Sequence, residues 1–125
     1  MITSIGVHVH YVSDQEVARD FFVDKLGFTP HTDAEMSPGR RWIEVATPAG
    51  DRINLFPVQD GFEHFLGKSS TFTLLCDDAQ KTYDELKAAG VPVEGPFKEP
   101  WSTWVKVTDP DGNDFVIGEV SQQNN

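Results

Sequence analysis

Trp42-Ile43-Glu44-Val45-Ala46-Thr47-Pro48-Ala49-Gly50-Asp51-Arg52-Ile53-Asn54-Leu55 returns in the same chain as Trp104-Val105-Lys106-Val107-Thr108-Asp109-Pro110-Asp111-Gly112-Asn113-Asp114-Phe115-Val116-Ile117. The leading Trp, the Val at the fourth position, the Pro and the Gly are identical. Ile43 and Val105, Ile53 and Phe115, and Leu55 and Ile117 correspond as apolar positions. Each stretch alternates apolar and polar residues, the period of a strand with one buried face. Each is interrupted by a P-x-G turn flanked by Asp or Asn, residues that form tight turns at low cost. Both stretches read as β-hairpins, and the repeat organises everything around them.

Upstream of each hairpin the match is looser but of the same kind. Val7 to Val12 and Thr71 to Cys76 read as strands. Each leads into a helix, one starting near Asp14 and stopping at Gly27, the other starting near Asp77 and stopping at Gly90. Ser13 and Glu16 have the spacing of a capping box. Val17, Phe21 and Leu26, with Ala18 and Phe22, make an apolar face on the first helix. Ala79, Tyr83, Leu86 and Ala88 or Ala89 do so on the second. Gly27 and Gly90 suit the left-handed residue that ends a helix, and Pro92 prevents continuation of the second. Each half therefore reads β-α-β-β-β: repeat one over about 1–57, a connector over 58–70, and repeat two over about 71–120. Phe62, Phe65 and Leu66 in the connector suggest a short turn that packs on something. The tail from 121 is polar. The expected fold class is α+β, a single domain over 1–125. The two βαβββ repeats would form one curved, barrel-like, eight-stranded sheet around a groove, with the helices on its outer face. Neither half alone would bury much core.

A chain of 125 residues with 38% hydrophobic residues suits one globular domain. No apolar run approaches the roughly 20 residues of a membrane span. No signal peptide is visible, so the cytoplasm is the expected location. The net charge of −10 repels phosphate backbones and anionic lipids, and nucleic acid and membrane are not expected partners. The one cysteine, Cys76, excludes an internal disulfide and sits in an apolar run as a small buried hydrophobe.

Asp14, Ala18 and Phe21-Phe22, followed by Leu26-Gly27-Phe28, resemble the "D-x3-A-x2-F-Y … L-G-F" opening of the vicinal-oxygen-chelate superfamily. This is the glyoxalase, bleomycin-resistance and extradiol-dioxygenase group. Asp109-Pro110-Asp111-Gly112-Asn113 followed by Phe115 resembles its "D-P-D-G-N-x-hydrophobic" close. The resemblance covers nearly the whole chain. It implies the repeated βαβββ fold and a homodimer. It leaves function open, because the superfamily holds metal-dependent lyases, isomerases, epimerases and ring-cleaving dioxygenases beside metal-free proteins that sequester drugs.

The resemblance also implies where a metal would be held. The family's enzymes use His and Glu from four strand positions, which fall here on Val7, Asn54, Thr71 and Val116. Two of these are aliphatic and two are weak neutral ligands, so no cofactor is expected. His8 and His10 lie one residue out of register with that set. A one-residue slip turns every side chain of a strand to its other face, and His8 or His10 would then face the groove. That alternative is a lyase or dioxygenase with an atypical ligand set and a divalent Zn, Ni, Mn or Fe. His31 and His64 read as solvated.

Strand alternation places Val7, Val9, Tyr11, Trp42, Glu44, Arg52, Asn54 and Phe56 on the groove side of the first half. From the second half it places Thr71, Thr73, Trp104, Lys106, Asp114 and Val116 there. Trp101 lies where it would close the groove. Aromatic residues with a few fixed polar groups make a pocket for a flat, small molecule. Tyr11, Trp42, Glu44, Arg52, Asn54, Thr71, Thr73, Trp101 and Trp104 form the candidate ligand-binding set. Glu44 and Tyr11 are the weak candidates for proton transfer. The plainer reading of Glu44 is a cross-strand pair with Arg52 or Lys106. Arg40-Arg41 reads as a solvated pair in a loop at the groove mouth. The expected function is binding of an aromatic or drug-like molecule in a metal-free groove, for sequestration or resistance. A dimeric partner protein with a vestigial groove is a further reading.

Overall fold

The computed structural model describes residues 1–119, and of residues 69–71 the backbone alone. The chain divides into two units, Met1–Leu66 and a second that begins at Gly67. Both follow the same plan.

The first unit runs β1 (His8–Val12), α1 (Gln15–Asp20), β2 (Thr29–Ser37), β3 (Arg40–Ala46) and β4 (Arg52–Pro57). Its sheet has the order β1-β4-β3-β2, with β1 parallel to β4 and the other pairs antiparallel. The second runs β5 (Ser69–Cys76), α2 (Ala79–Ala88), β6 (Val93–Lys98), β7 (Thr103–Thr108) and β8 (Asp114–Glu119), in the order β5-β8-β7-β6. The tandem βαβββ fold is present, but as two four-stranded sheets, not closed into a barrel. No ladder among the described residues joins them into one eight-stranded sheet. Each repeat pairs both edges of its own inner strands internally, so no inner strand is left to bond to the other half.

One face of each sheet is dry and carries the helix. In the first unit Val12, Phe22, Ile43, Val45 and Leu55 are fully buried. Each contributes about 1.5–3 kcal/mol of transfer free energy. In the second, Val105, Val107, Phe115, Ile117 and Leu86 are buried. The cap of α1 is Asp14, whose carboxylate accepts from the amides of Glu16 and Val17 at 3.0 and 3.1 Å. Ser13 does not fill that role, because the helix begins one residue later than the capping-box spacing implies. After Asp20 the helix widens into a π-helical turn, Phe21–Lys25. Phe21 and Phe22 are buried, as expected, while Val17, expected on the apolar face, is 49% exposed. Asp78 caps α2. Gly27 and Gly90 end the helical segments at φ of 79° and 80°, where a side chain would be strained.

Arg41 is not a loop residue. It lies in β3, and Pro38-Gly39 is only the tight turn that joins β2 to it. Its guanidinium grips Asp33 at 2.6 and 3.1 Å and Glu16 of α1 at 2.9 Å. Gln15 donates to the carbonyls of Arg41 and Leu55, so polar ties from α1 reach β3 and β4. The hydrogen bond from Arg41 holds the Asp33 carboxyl below its usual value of 3.8.

The Asp109-to-Asn113 turn does more than reverse the chain. Asp109 Oδ1 accepts from the amides of Asp111 and Asn113, and Asn113 Nδ2 donates to Asp109 Oδ2. Asn113 Oδ1 then accepts from the amides of Gly67 and Lys68 at 2.9 and 3.3 Å. One buried amide thus ties the β7–β8 turn to the entry of β5.

Two outcomes follow. Asn113→Ala would leave the Gly67 and Lys68 amides, whose bonds are part-buried, without their shared acceptor and lower the unfolding free energy by about 1–2 kcal/mol, read by urea denaturation. The stability that Arg41 confers depends on an ionised Asp33 with a depressed pKa. It is fully present above pH 3.8 and is lost as pH falls through the lower folded value. The difference in melting temperature between the wild type and Arg41→Ala should therefore shrink in acid. A constant difference down to the acid transition would rule this pairing out as the cause.

Candidate functional site

In the first unit, the sheet face opposite α1 carries a polar cluster. The ladder sets Glu44 beside Asn54, Val9 beside Asn54, and Tyr11 beside Phe56. Trp42 shares that face, two residues from Glu44. Glu44 is only 6% exposed. Its Oε2 accepts from Trp42 Nε1 at 2.7 Å, and its Oε1 accepts from Arg52 at 3.1 Å. His31 Nδ1 lies 3.3 Å from the same Oε1. Arg52 also donates to the Gly6 carbonyl. Glu44 is thus the hub of the cluster, an arrangement suited to holding groups in place.

His31 is exposed, as expected, and its Nδ1 lies 2.8 Å from Thr32 Oγ1 as well as near Glu44. A register shift between Pro30 and Thr32 puts an extra residue of β2 opposite Glu44, and the His31 ring turns to the carboxylate. Lys106, the other cation considered for Glu44, pairs instead with Glu94 in the second unit at 3.3 Å. Asn54 is 1% exposed. Its Nδ2 donates to the Ile43 carbonyl, and its Oδ1 finds no protein partner.

Beside this cluster the aromatic rings form a ladder. Tyr11 stacks on Phe65 at 5.0 Å, and Phe65 stacks on Phe62 at 5.9 Å. Phe56 meets Tyr11 edge-on at 6.0 Å. The apolar turn expected in the connector is the 3-10 turn Glu63–Phe65, and Tyr11 is what it packs on. His64, exposed as expected, lies beside the Phe65 ring at 4.5 Å.

In the second unit the same face is open. A shallow, open cavity of about 280 Å³ is lined by Thr73, Leu75, Trp101, Ser102, Trp104, Val116, Gly118 and Glu119. Its walls are mostly apolar. Trp101 stands at its edge, 63% exposed, and Trp104 packs on Phe97 at 4.5 Å. Ser102 Oγ donates to the Glu119 carbonyl at 3.1 Å, fixing the loop that carries Trp101. Of the candidate ligand-binding residues, this cavity gathers Thr73, Trp101 and Trp104. Tyr11, Trp42, Glu44, Arg52 and Asn54 belong to the first unit. The Thr71 side chain lies outside the described residues. Cys76 is half-buried, and burial pushes its thiol above the usual value, so it is no activated nucleophile.

The model of the Glyoxalase/Bleomycin resistance protein/Dioxygenase superfamily matches residues 4–117. The chain belongs to this superfamily. It is 34% identical over 123 residues to the uncharacterized protein YetH of Bacillus subtilis (strain 168), covering 95% of this chain and 100% of YetH. Among solved structures it is similar to TnmS3, described as an antibiotic binding protein from Streptomyces sp. CB03234. That likeness has 30% identity and a TM-score of 0.80, over 97% of this chain and 100% of that one. A superfamily member from Sphaerobacter thermophilus DSM 20745 is 32% identical, with a TM-score of 0.81, over 94% of this chain and 98% of that one.

The metal centre of the superfamily's enzymes can be tested against these positions. Val7 and Val116 offer no donor atom. Asn54 offers one neutral oxygen. Divalent sites of this kind need imidazole and carboxylate donors. His10 is buried on the α1 side of its sheet, edge-on to Phe22 at 5.6 Å. His8 shares that face. Burial, and then the neighbouring His10, lower the pKa of His8. Among the described residues, no group of three or more His, Cys, Asp or Glu side chains could hold a metal ion. The donor set does not fit a divalent centre.

Leu75, Ser102 and Glu119 line the cavity beyond the expected set, and sequence reasoning misses two further residues, His31 and Gly118. The first depends on a bulge that no residue pattern announces. The second is visible only by laying Gly118 against Phe56 in the repeat. Glu44→Ala would leave Trp42 Nε1 and Arg52 without their shared acceptor. A loss of about 2 kcal/mol is expected in chemical denaturation, less than for a fully dry pair because Arg52 keeps access to water.

Proposed function

We propose that this protein binds a flat, largely apolar small molecule of drug-like size, with no metal in the site. The observation that carries the reading is the 280 Å³ cavity walled by Trp101, Trp104, Thr73 and Leu75. Two indoles give stacking surfaces at low conformational cost, and Thr73 supplies a hydroxyl that can fix orientation. The likeness to the antibiotic binding protein TnmS3 across both chains supports the same reading. Sequestration of a toxic aromatic compound is the biological role this implies, in a homodimer of the cytoplasm. Light scattering on the purified protein tests the homodimer.

A panel of anthraquinones, naphthols and acridines, titrated against tryptophan fluorescence and calorimetry, tests the binding itself. At least one class should bind and raise the melting temperature, with or without a chelator present. Trp101→Ala and Trp104→Ala should each weaken that binding about tenfold or more, in line with the loss of one stacking partner. Binding that appears only after addition of Zn, Ni, Mn or Fe would overturn the metal-free reading.

A further inference from the structure

The two units pair matching positions alike where Val9 meets Asn54 and Thr73 meets Val116, yet the next position on that face differs in kind. Phe56 in β4 and Gly118 in β8 occupy the same place in the repeat, two residues after Asn54 and Val116 respectively. Phe56 is paired with Tyr11 of β1, and Gly118 is paired with Leu75 of β5. In the first unit that place is filled by rings, Phe56 edge-on to Tyr11 and Tyr11 stacked on Phe65. In the second unit Gly118 lines the cavity, and Leu75 beside it is 69% exposed.

The backbone gives no reason for a glycine here. Gly118 is not among the glycines with positive φ, unlike Gly112 in the preceding turn. Sterics give none either. A Cβ at this position would meet Ser102 Oγ at 3.6 Å and Trp104 Cβ at 3.8 Å, both ordinary contacts. Gly95 is a useful contrast, since a Cβ there would meet Trp104 O and Phe97 at 3.1 Å. A glycine inside a strand also weakens it, because the unfolded chain gains freedom and no side chain packs. Gly118 is the next-to-last residue of β8, buried, and paired with Trp104 in the ladder. It carries a stability cost that the fold does not require.

We infer that Gly118 is the specificity-determining residue of the cavity: its missing side chain makes the room in which a flat ligand lies against Trp104, and it sets how large that ligand can be. This rests on the small-molecule reading above and adds to it the feature that selects by size. A methyl group at 118 would project between Ser102 and the Trp104 side chain, into the space the ligand needs. A valine would fill it further, while suiting a strand better than glycine does.

The test uses Gly118→Ala and Gly118→Val in the full chain, with two probes of one shape and two sizes, 2-naphthol and acridine. Melting temperature is read without ligand, and affinity by calorimetry. Both variants should melt higher than wild type, by about 2–5 °C for Gly118→Ala. Acridine binding should weaken about tenfold or more in Gly118→Ala and vanish in Gly118→Val. The smaller 2-naphthol should lose less, so that the preference between the probes shifts toward it. Variants that melt lower than wild type would show that the glycine serves the fold, and would overturn the inference. Variants that are more stable but bind both probes as wild type does would place the ligand elsewhere. That result would overturn the inference and leave the binding function standing. A wild type that binds neither probe nor any compound of the wider panel would remove the small-molecule reading, and the inference with it.

Discussion

The parallel pairing of each unit's first strand with its last decides what faces what. Because Val9 lies opposite Asn54 and Tyr11 opposite Phe56, His10 and Val12 are turned to the helix. Side chains alternate along a strand, so a shift of one residue in β1 would exchange these two sets completely. The apolar face under α1 holds the register. Val12 is fully buried, as are Phe22 and Leu55, and a slip would expose it and bury Tyr11 with its hydroxyl. The same logic fixes β5 on β8, where Thr73 meets Val116 and Leu75 meets Gly118.

Much of this was legible in the sequence because it rests on local chemistry. The doubled Trp-to-Ile hairpins, the P-x-G turns, the helix-stopping Gly27 and Gly90 and the apolar alternation all act within a few residues. The Glu44–Arg52 pair is a cross-strand neighbour two removed in register and could be foreseen. What escaped depends on geometry that residue types do not encode. The bulge that brings His31 to Glu44 is one such case. The shift of the cap from Ser13 to Asp14 moves the helix by a single residue, and Val17, expected inward, is left half exposed. Arg41 looked like a loop cation because Pro38 and Gly39 precede it, but the turn is so short that β3 has already begun. The arrangement as two sheets depends on which backbone edges bond, and alternation says nothing of that.

The two units have put one scaffold to different uses. In the first, the non-helical face is occupied by its own side chains, with Glu44 binding Trp42, Arg52 and His31 and with rings filling the neighbouring space. In the second, small residues replace large ones and indoles stand at the edge of a hollow. A repeat lets one copy keep the structural duty while the other gives up packing density. The cost of the hollow is modest because its walls, Trp104 above all, still rest on neighbours such as Phe97.

Asn113 has a consequence for how the chain must assemble. Its side-chain oxygen receives the amides of Gly67 and Lys68, residues 46 and 45 positions earlier, where β5 begins. The first strand of the second unit thus gets both its ladder partner and its anchoring hydrogen bonds from the last hairpin. During synthesis that strand leaves the ribosome long before either exists, and it waits as an unpaired edge while α2, β6 and β7 emerge. Ordering is then a late closure over a long stretch of chain, slow in the way that non-local pairings are slow. For this half of the molecule, the start of β5 is anchored only once the β7–β8 turn has been made.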